Sequence, residues 1–110
     1  MNWKQARRFC AKRKARMVVI ESETERLEIA QLLKGLLKRK WRFWVGVKKR
    51  NGVWKTNSGE PLSYTPWSDK GGWSGDCVRV GEDMMWYEAE CWTSGAQWGY
   101  TYNPFCKKAF

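Results

Sequence analysis

Phe43-Trp44-Val45-Gly46-Val47 is the stretch that decides how this chain folds. Aromatic and β-branched residues in an unbroken run prefer a pleated, buried surface. Apolar side chains fall on both alternating faces, so the run predicts a central strand covered on each side. Gly46, with no Cβ, marks a place where another backbone or a bulky ring comes close. Basic residues bracket the run, Lys38, Arg39, Lys40 and Arg42 before it and Lys48, Lys49 and Arg50 after. Taken alone, the five residues say only core strand; their neighbours say more.

Upstream, Trp3, Ala6, Phe9 and Cys10 recur at helical spacing and predict a first helix over 3–15. Arg7, Arg8, Lys12, Arg13 and Lys14 cover its outer face. Met17-Val18-Val19-Ile20 reads as a strand or extended connector. Ser22 with Glu25 forms a capping-box pattern that opens a second helix, expected to run to about Leu37 and to bury Leu27, Ala30, Leu33 and Leu37. Downstream, Asn51-Gly52 predicts a tight turn between strands at 45–49 and 53–55. Residues 65–76 are rich in Gly, Ser, Pro and Asp and hold Trp67 and Trp73. Strands are expected at 77–80 and 84–87, around Gly81-Glu82-Asp83, with a closing strand at 103–106. Two helices followed by short strands argue an α+β fold.

With 110 residues the chain is one domain, 1–110, large enough for a single core. No apolar run approaches the ~20 residues of a membrane span, so no membrane insertion is expected. Met1 leads almost directly into a polar periodic segment without a leader, which reads as a mature fragment or a designed scaffold. Charge is one-sided: residues 1–50 carry 16 Lys and Arg against 4 Asp and Glu, a net +12, and residues 51–110 carry 5 against 7, a net −2. A basic half favours polyanionic partners. Cys10, Cys77, Cys91 and Cys106 include no closely spaced pair, and there is no histidine, which argues against a zinc cage. Two disulfides in an oxidising compartment are expected, and spacing leaves all three pairings open. No catalytic set is visible, since no histidine base exists and the carboxylates show no pairing.

Several ordered anchors carry a resemblance. Trp3-x-x-Ala6-x-x-Phe9-Cys10, Met17 to Ile20 with Ser22 and Glu25, and Phe43 to Val47 come first. Trp54 with Gly59, Tyr64 with Trp67, Asp76-Cys77-Val78, Trp86 to Cys91, and Phe105-Cys106 follow in order. From Trp3 to Lys107 the chain resembles a C-type lectin-like domain. Glu21-Ser22-Glu23 and the basic tract after the central strand look most like the layilin and chondrolectin branch. The resemblance implies two helices packed on small antiparallel sheets, a long loop at 65–76 where ligands bind, and disulfides Cys10–Cys106 and Cys77–Cys91. Such bridges would contribute on the order of 4.7 and 3 kcal/mol in the chain-entropy model. It also implies that the family's opening strand is missing, leaving an open sheet edge near 103–106 where a partner chain could pair.

The family's calcium residues are not kept. The loop reads Ser68-Asp69-Lys70-Gly71-Gly72, Gly75 stands where a glutamate would be, and Tyr87-Glu88 replaces Asn-Asp. Calcium wants 6–8 oxygens, so no cofactor and no metal are expected. The expected ligand face holds Trp73, Trp92, Trp98 and Tyr100, with Tyr102 beside them. A separate basic surface holding Arg7, Arg8, Arg39 and Lys40 is expected to converge into an anion-binding area, because the resemblance implies both helices on one side of the sheet. The expectation is a secreted or cell-surface, non-enzymatic, calcium-independent recognition module. Its ligand would be an acidic glycan of the hyaluronan or heparan sulfate type, or a protein. Nucleic acid would be held by charge alone, without a base-reading motif. The alternatives are an assembly subunit docking through exposed tryptophans and the open edge, or a designed lectin-like scaffold.

Overall fold

The computed structural model describes residues 1–71 and 73–108, so Gly72 of the long-loop run lies outside the described residues. Strand β1 (Ala15–Met17) pairs antiparallel with β7 (Cys106–Lys108) in a small two-stranded sheet. The larger sheet is built on β2 (Trp41–Arg50), which pairs antiparallel with β3 (Val53–Thr56) and with β4 (Cys77–Val80). Strand β5 (Trp86–Ala89) extends the sheet beyond β4, and β6 (Thr101–Asn103) runs parallel to the first residues of β2. The β2–β3 hairpin turns on Asn51 and Gly52, both at positive φ (51° and 78°), the geometry that suits a two-residue loop.

Gly46 joins the two sheets. Its amide donates to the Val18 carbonyl, and its own carbonyl accepts from the Asn57 amide. A Cβ there would stand 2.9 Å from the Met17 carbonyl oxygen and 3.0 Å from Asn57 Nδ2. The expected close approach of a second backbone is therefore real, and the backbone is the segment leaving β1.

The side chains of β2 alternate between two cores. Phe43, Val45 and Val47 pack with Val78 and Val80 against Ile29, Leu33 and Leu37 of α2 (Glu23–Leu37). Trp44 packs with Cys77, Ala89 and Tyr102 against Trp3, Ala6 and Cys10 of α1 (Trp3–Ala11). The Trp3 indole donates to the Val45 carbonyl and the Trp44 indole to the Met1 carbonyl, both at 3.0 Å. The two helices thus cover opposite faces of the sheet. The expectation that they share one side is corrected, because an alternating strand with apolar residues on both faces needs a cover on each.

Other expectations shift locally. Helix α1 ends at Ala11, and Lys14 at positive φ (54°) turns the chain into β1. In α2, Ile29 is buried and Leu27 is 55% exposed, so the inward stripe is Ile29-Leu33-Leu37. Ser22 Oγ accepts from the Glu25 amide as expected, but the Glu25 carboxylate accepts from Glu21, one residue earlier than the box pattern implies. Helix α1 has its own reciprocal cap, Asn2 with Gln5. The closing strand is two strands, β6 and β7, interrupted at Pro104, which has no amide to donate. Disulfides join Cys10 to Cys106 and Cys77 to Cys91, as the resemblance implied.

Candidate functional site

The loop between β3 and β4 folds back over β5. Trp67 forms a bridge with Trp86, and the amide of Trp86 donates to the Pro66 carbonyl. Trp54, Trp67 and Trp86 pack in series, the first pair tilted at 5.0 Å and the second edge to face at 5.5 Å between ring centres. Together with Trp73, Tyr87, Ser68, Gly71 and Glu88 they line an open cleft of about 240 Å³. Aromatic walls with a few polar groups between them are the usual lining of a ligand pocket, which makes this cleft the candidate site. The Lys49 ammonium lies 5.0 Å from the Trp54 ring and 3.9 Å from the Glu88 carboxylate, so the cleft rim is charge-balanced on that side.

Behind the cleft lies a buried cationic cluster. Arg79 stands in β4 with Trp44 and Tyr87 as its cross-strand neighbours, and only 4% of it is exposed. Its guanidinium carbon is 4.4 Å from the Tyr87 ring, 4.6 Å from Trp73, 5.8 Å from Tyr102 and 6.0 Å from Tyr100. Burial pushes its pKa below the ordinary value, and the nearby Arg42 charge pushes the same way. Arg42 is just as buried at 5%, yet it donates to the Leu37 and Trp41 carbonyls and faces Glu82 at 3.8 Å. Arg79 has no such partners among the described residues. Its Nε is buried without a hydrogen bond, as are Trp86 Nε1 and the Tyr102 hydroxyl. A buried unpaired charge costs several kcal/mol, and a desolvated ring returns roughly 2.

The sequence-expected residues divide between places. Trp92 and Trp98 are exposed, at 64% and 42%. Trp98 meets Trp73 edge to face at 5.3 Å, and both adjoin the cluster. Tyr100 is half-buried, flanked by Arg42 at 4.9 Å and Lys40 at 5.8 Å. Tyr102, expected on the face, is buried against Trp44 instead. Arg39 and Lys40 are both exposed, and Lys40 sets a positive rim beside the aromatic face.

Arg7 and Arg8 are exposed on α1 and do not join that rim. Arg7 lines a groove with Lys14, Arg16 and Asn57, and a second groove beside it adds Lys107 and Lys108. Asn57 bonds to Gly46, six residues along β2 from Lys40, a rise of about 20 Å. The basic half of the sequence therefore makes two clusters rather than one. Sequence reasoning did not single out Arg79 or Tyr87, while Trp86 takes the core place that its match to the family's framework implied, with Trp54 packed against it. A single arginine inside the apolar run Cys77-Val78-Arg79-Val80, paired on both edges, was the available signal.

The family model for the Lectin C-type domain matches residues 1–96. The chain belongs to the C-type lectin family. "C-type lectin 1" from Hydrophis hardwickii is 30% identical over 76 residues, which cover 63% of this chain and 44% of that protein. The match thus spans under half the length of that relative. Among solved structures, the mouse scavenger receptor C-type lectin carbohydrate-recognition domain superposes with a TM-score of 0.70 at 22% identity, covering 82% of this chain and 74% of that one. A calcium-independent type II antifreeze protein superposes with a TM-score of 0.66 at 22% identity, covering 83% and 71%.

Two carboxylates near the cleft, Glu88 and Asp83, already face partners within the fold. Among the described residues no three acidic, histidine or cysteine side chains gather as a metal-binding group. Glu88 faces Lys49. Asp83 accepts from the Tyr87 hydroxyl at 2.6 Å and the Met85 amide, and lies 3.8 Å from Lys70. Burial raises the Asp83 pKa, and those donors with Lys70 outweigh burial and hold the carboxyl below its ordinary value. Both carboxylates are already engaged by cations and donors. Among the described residues, no helix is long and apolar enough to cross a membrane.

Proposed function

We propose that this lectin domain binds an acidic glycan, of the hyaluronan or heparan sulfate type, through the long-loop aromatic cleft and the adjoining face of Trp73, Trp98 and Tyr100, without calcium. The observation that carries this reading is the meeting of the aromatic face with fixed positive charge, with Lys40, Arg42 and Arg79 all within 6.0 Å of the Tyr100 ring. Sugar rings stack on flat aromatic faces, and the basic rim favours carboxylated or sulfated sugars over neutral ones. The engaged state of Glu88 and Asp83 supports recognition without a metal, as the antifreeze neighbour's description as calcium-independent says of that protein. The role is binding, not catalysis. Two disulfides fit a secreted or cell-surface setting.

A glycan array with and without a calcium chelator tests the proposal. Retention of acidic glycans in chelator, weakening steeply with salt, is expected. Binding that vanishes with chelator, or that prefers neutral mannose-type sugars, would refute it. The exposure of Trp92 and Trp98 favours a second reading, a protein ligand or partner chain docked on those rings. Such an interface would survive high salt and fail on Trp92→Ser.

A further inference from the structure

We propose that Arg79 is the receptor for the ligand's acidic group, a carboxylate or sulfate ester that reaches its guanidinium from the cleft between Trp73 and Tyr87. The inference rests on the cleft being the glycan site and names the atom that reads the acid. Trp73 and Tyr87 are at once walls of the cleft and the rings nearest the guanidinium. An aromatic face attracts the cation but offers its N–H donors no carboxylate-like lone pairs. No carboxylate among the described residues lies within ion-pair distance of Arg79, in contrast to Arg42. Two further buried donors without partners, Trp86 Nε1 and the Tyr102 hydroxyl, lie respectively at the cleft and in the same cluster. The Tyr102 hydroxyl is thus a second unpartnered polar group beside the guanidinium, with the Tyr102 ring 5.8 Å from it. A planar guanidinium fork suits the bidentate geometry of a carboxylate or sulfate, and its low-dielectric setting strengthens the pairing. Arg42 and Lys40 add positive potential without competing for the same contact.

The test uses the whole domain with 15N-labelled arginine and tryptophan side chains. Sodium sulfate, methyl β-glucuronide and methyl β-glucoside are titrated while the Arg79 Nε–H signal is followed, assigned by its loss in Arg79→Lys. Sulfate and glucuronide should move that signal saturably, and the glucoside should leave it in place. Arg79→Met should reduce the preference for glucuronide over glucoside by about tenfold or more. The wild-type titration stands even if that variant fails to fold. If an acidic hexasaccharide perturbs the indole signals of Trp54, Trp67 or Trp73 and leaves Arg79 unmoved, the assignment falls and glycan recognition survives. If sulfate moves Arg79 while no sugar perturbs those indoles, the anion receptor survives and the glycan reading falls. If nothing moves, both fall.

Discussion

The two faces of β2 are built from different materials. Toward α2, Val45, Val47, Val78 and Val80 meet Ile29, Leu33 and Leu37, and the same cluster takes in Phe43 and Trp86, with Trp54 and Trp67 packed against it. Toward α1 lie tryptophan, tyrosine and both disulfides, and this face runs on into Arg79 and the aromatic loops. One strand serves a face that chiefly excludes water and a face that also holds charge. The difference teaches that the two-residue period of a strand confines the buried charge to one face, while the cleft draws rings from both.

The sharpest way to break that comparison is to damage the aliphatic face alone. Leu33→Ala should cost about 2–5 kcal/mol in urea unfolding and leave the folded fraction's glycan affinity unchanged. A parallel loss of affinity would mean that the faces are not independent. The two arginines come next. Arg42→Met leaves the Leu37 and Trp41 carbonyls without their donor and should cost about 1–3 kcal/mol. Arg79→Met removes a cation without hydrogen bonds among the described residues, and should fall within about 1 kcal/mol of wild type or above it. Equal losses for both would show that ring contacts alone satisfy a buried guanidinium.

The remaining effects are smaller. Arg39→Ser with Lys40→Ser should leave thermal unfolding within about 0.5 kcal/mol, yet elute from heparin at lower salt, because exposed charges add little to folding. Finally, the Asp83 carboxyl is held below its ordinary pKa in the fold. Its contribution is therefore present above an unfolded value of about 4 and is lost as pH falls through the folded value. Asp83→Asn should cost under about 1 kcal/mol near pH 7, and the gap should close toward pH 2 in urea melts.

What could be read from the sequence follows from how local each cause is. Gly46, Asn51-Gly52 and the Ser22 cap act through their own backbone, so residue type alone reveals them. The disulfide pairing was legible only through the ordered anchors of the family, since spacing left three choices. Helix faces were harder: α2 carries leucines at 27, 32, 33, 36 and 37, and only the position of β2 selects which stripe turns inward. The side of the sheet taken by each helix is a matter of three-dimensional path, and no window of sequence contains it. Trp73, Trp98, Tyr100 and Lys40 could be singled out by residue type alone. Arg79 could not, because its meaning lies in the partners it lacks.

The bridge from Cys10 to Cys106 also has a mechanical consequence. These cysteines are 96 residues apart in sequence and 5.5 Å apart between α-carbons. Tension applied at residues before Cys10 and after Cys106 crosses the domain through one covalent link, and everything between them, long loop and cleft included, is bypassed. A bound polymer pulling on the cleft instead loads the sheet directly. With the bridge intact, a pull on the ends strains only the contacts that residues before Cys10 make with β2, such as Trp3 to Val45; once it is reduced, the pull runs through β2 and the cleft in series.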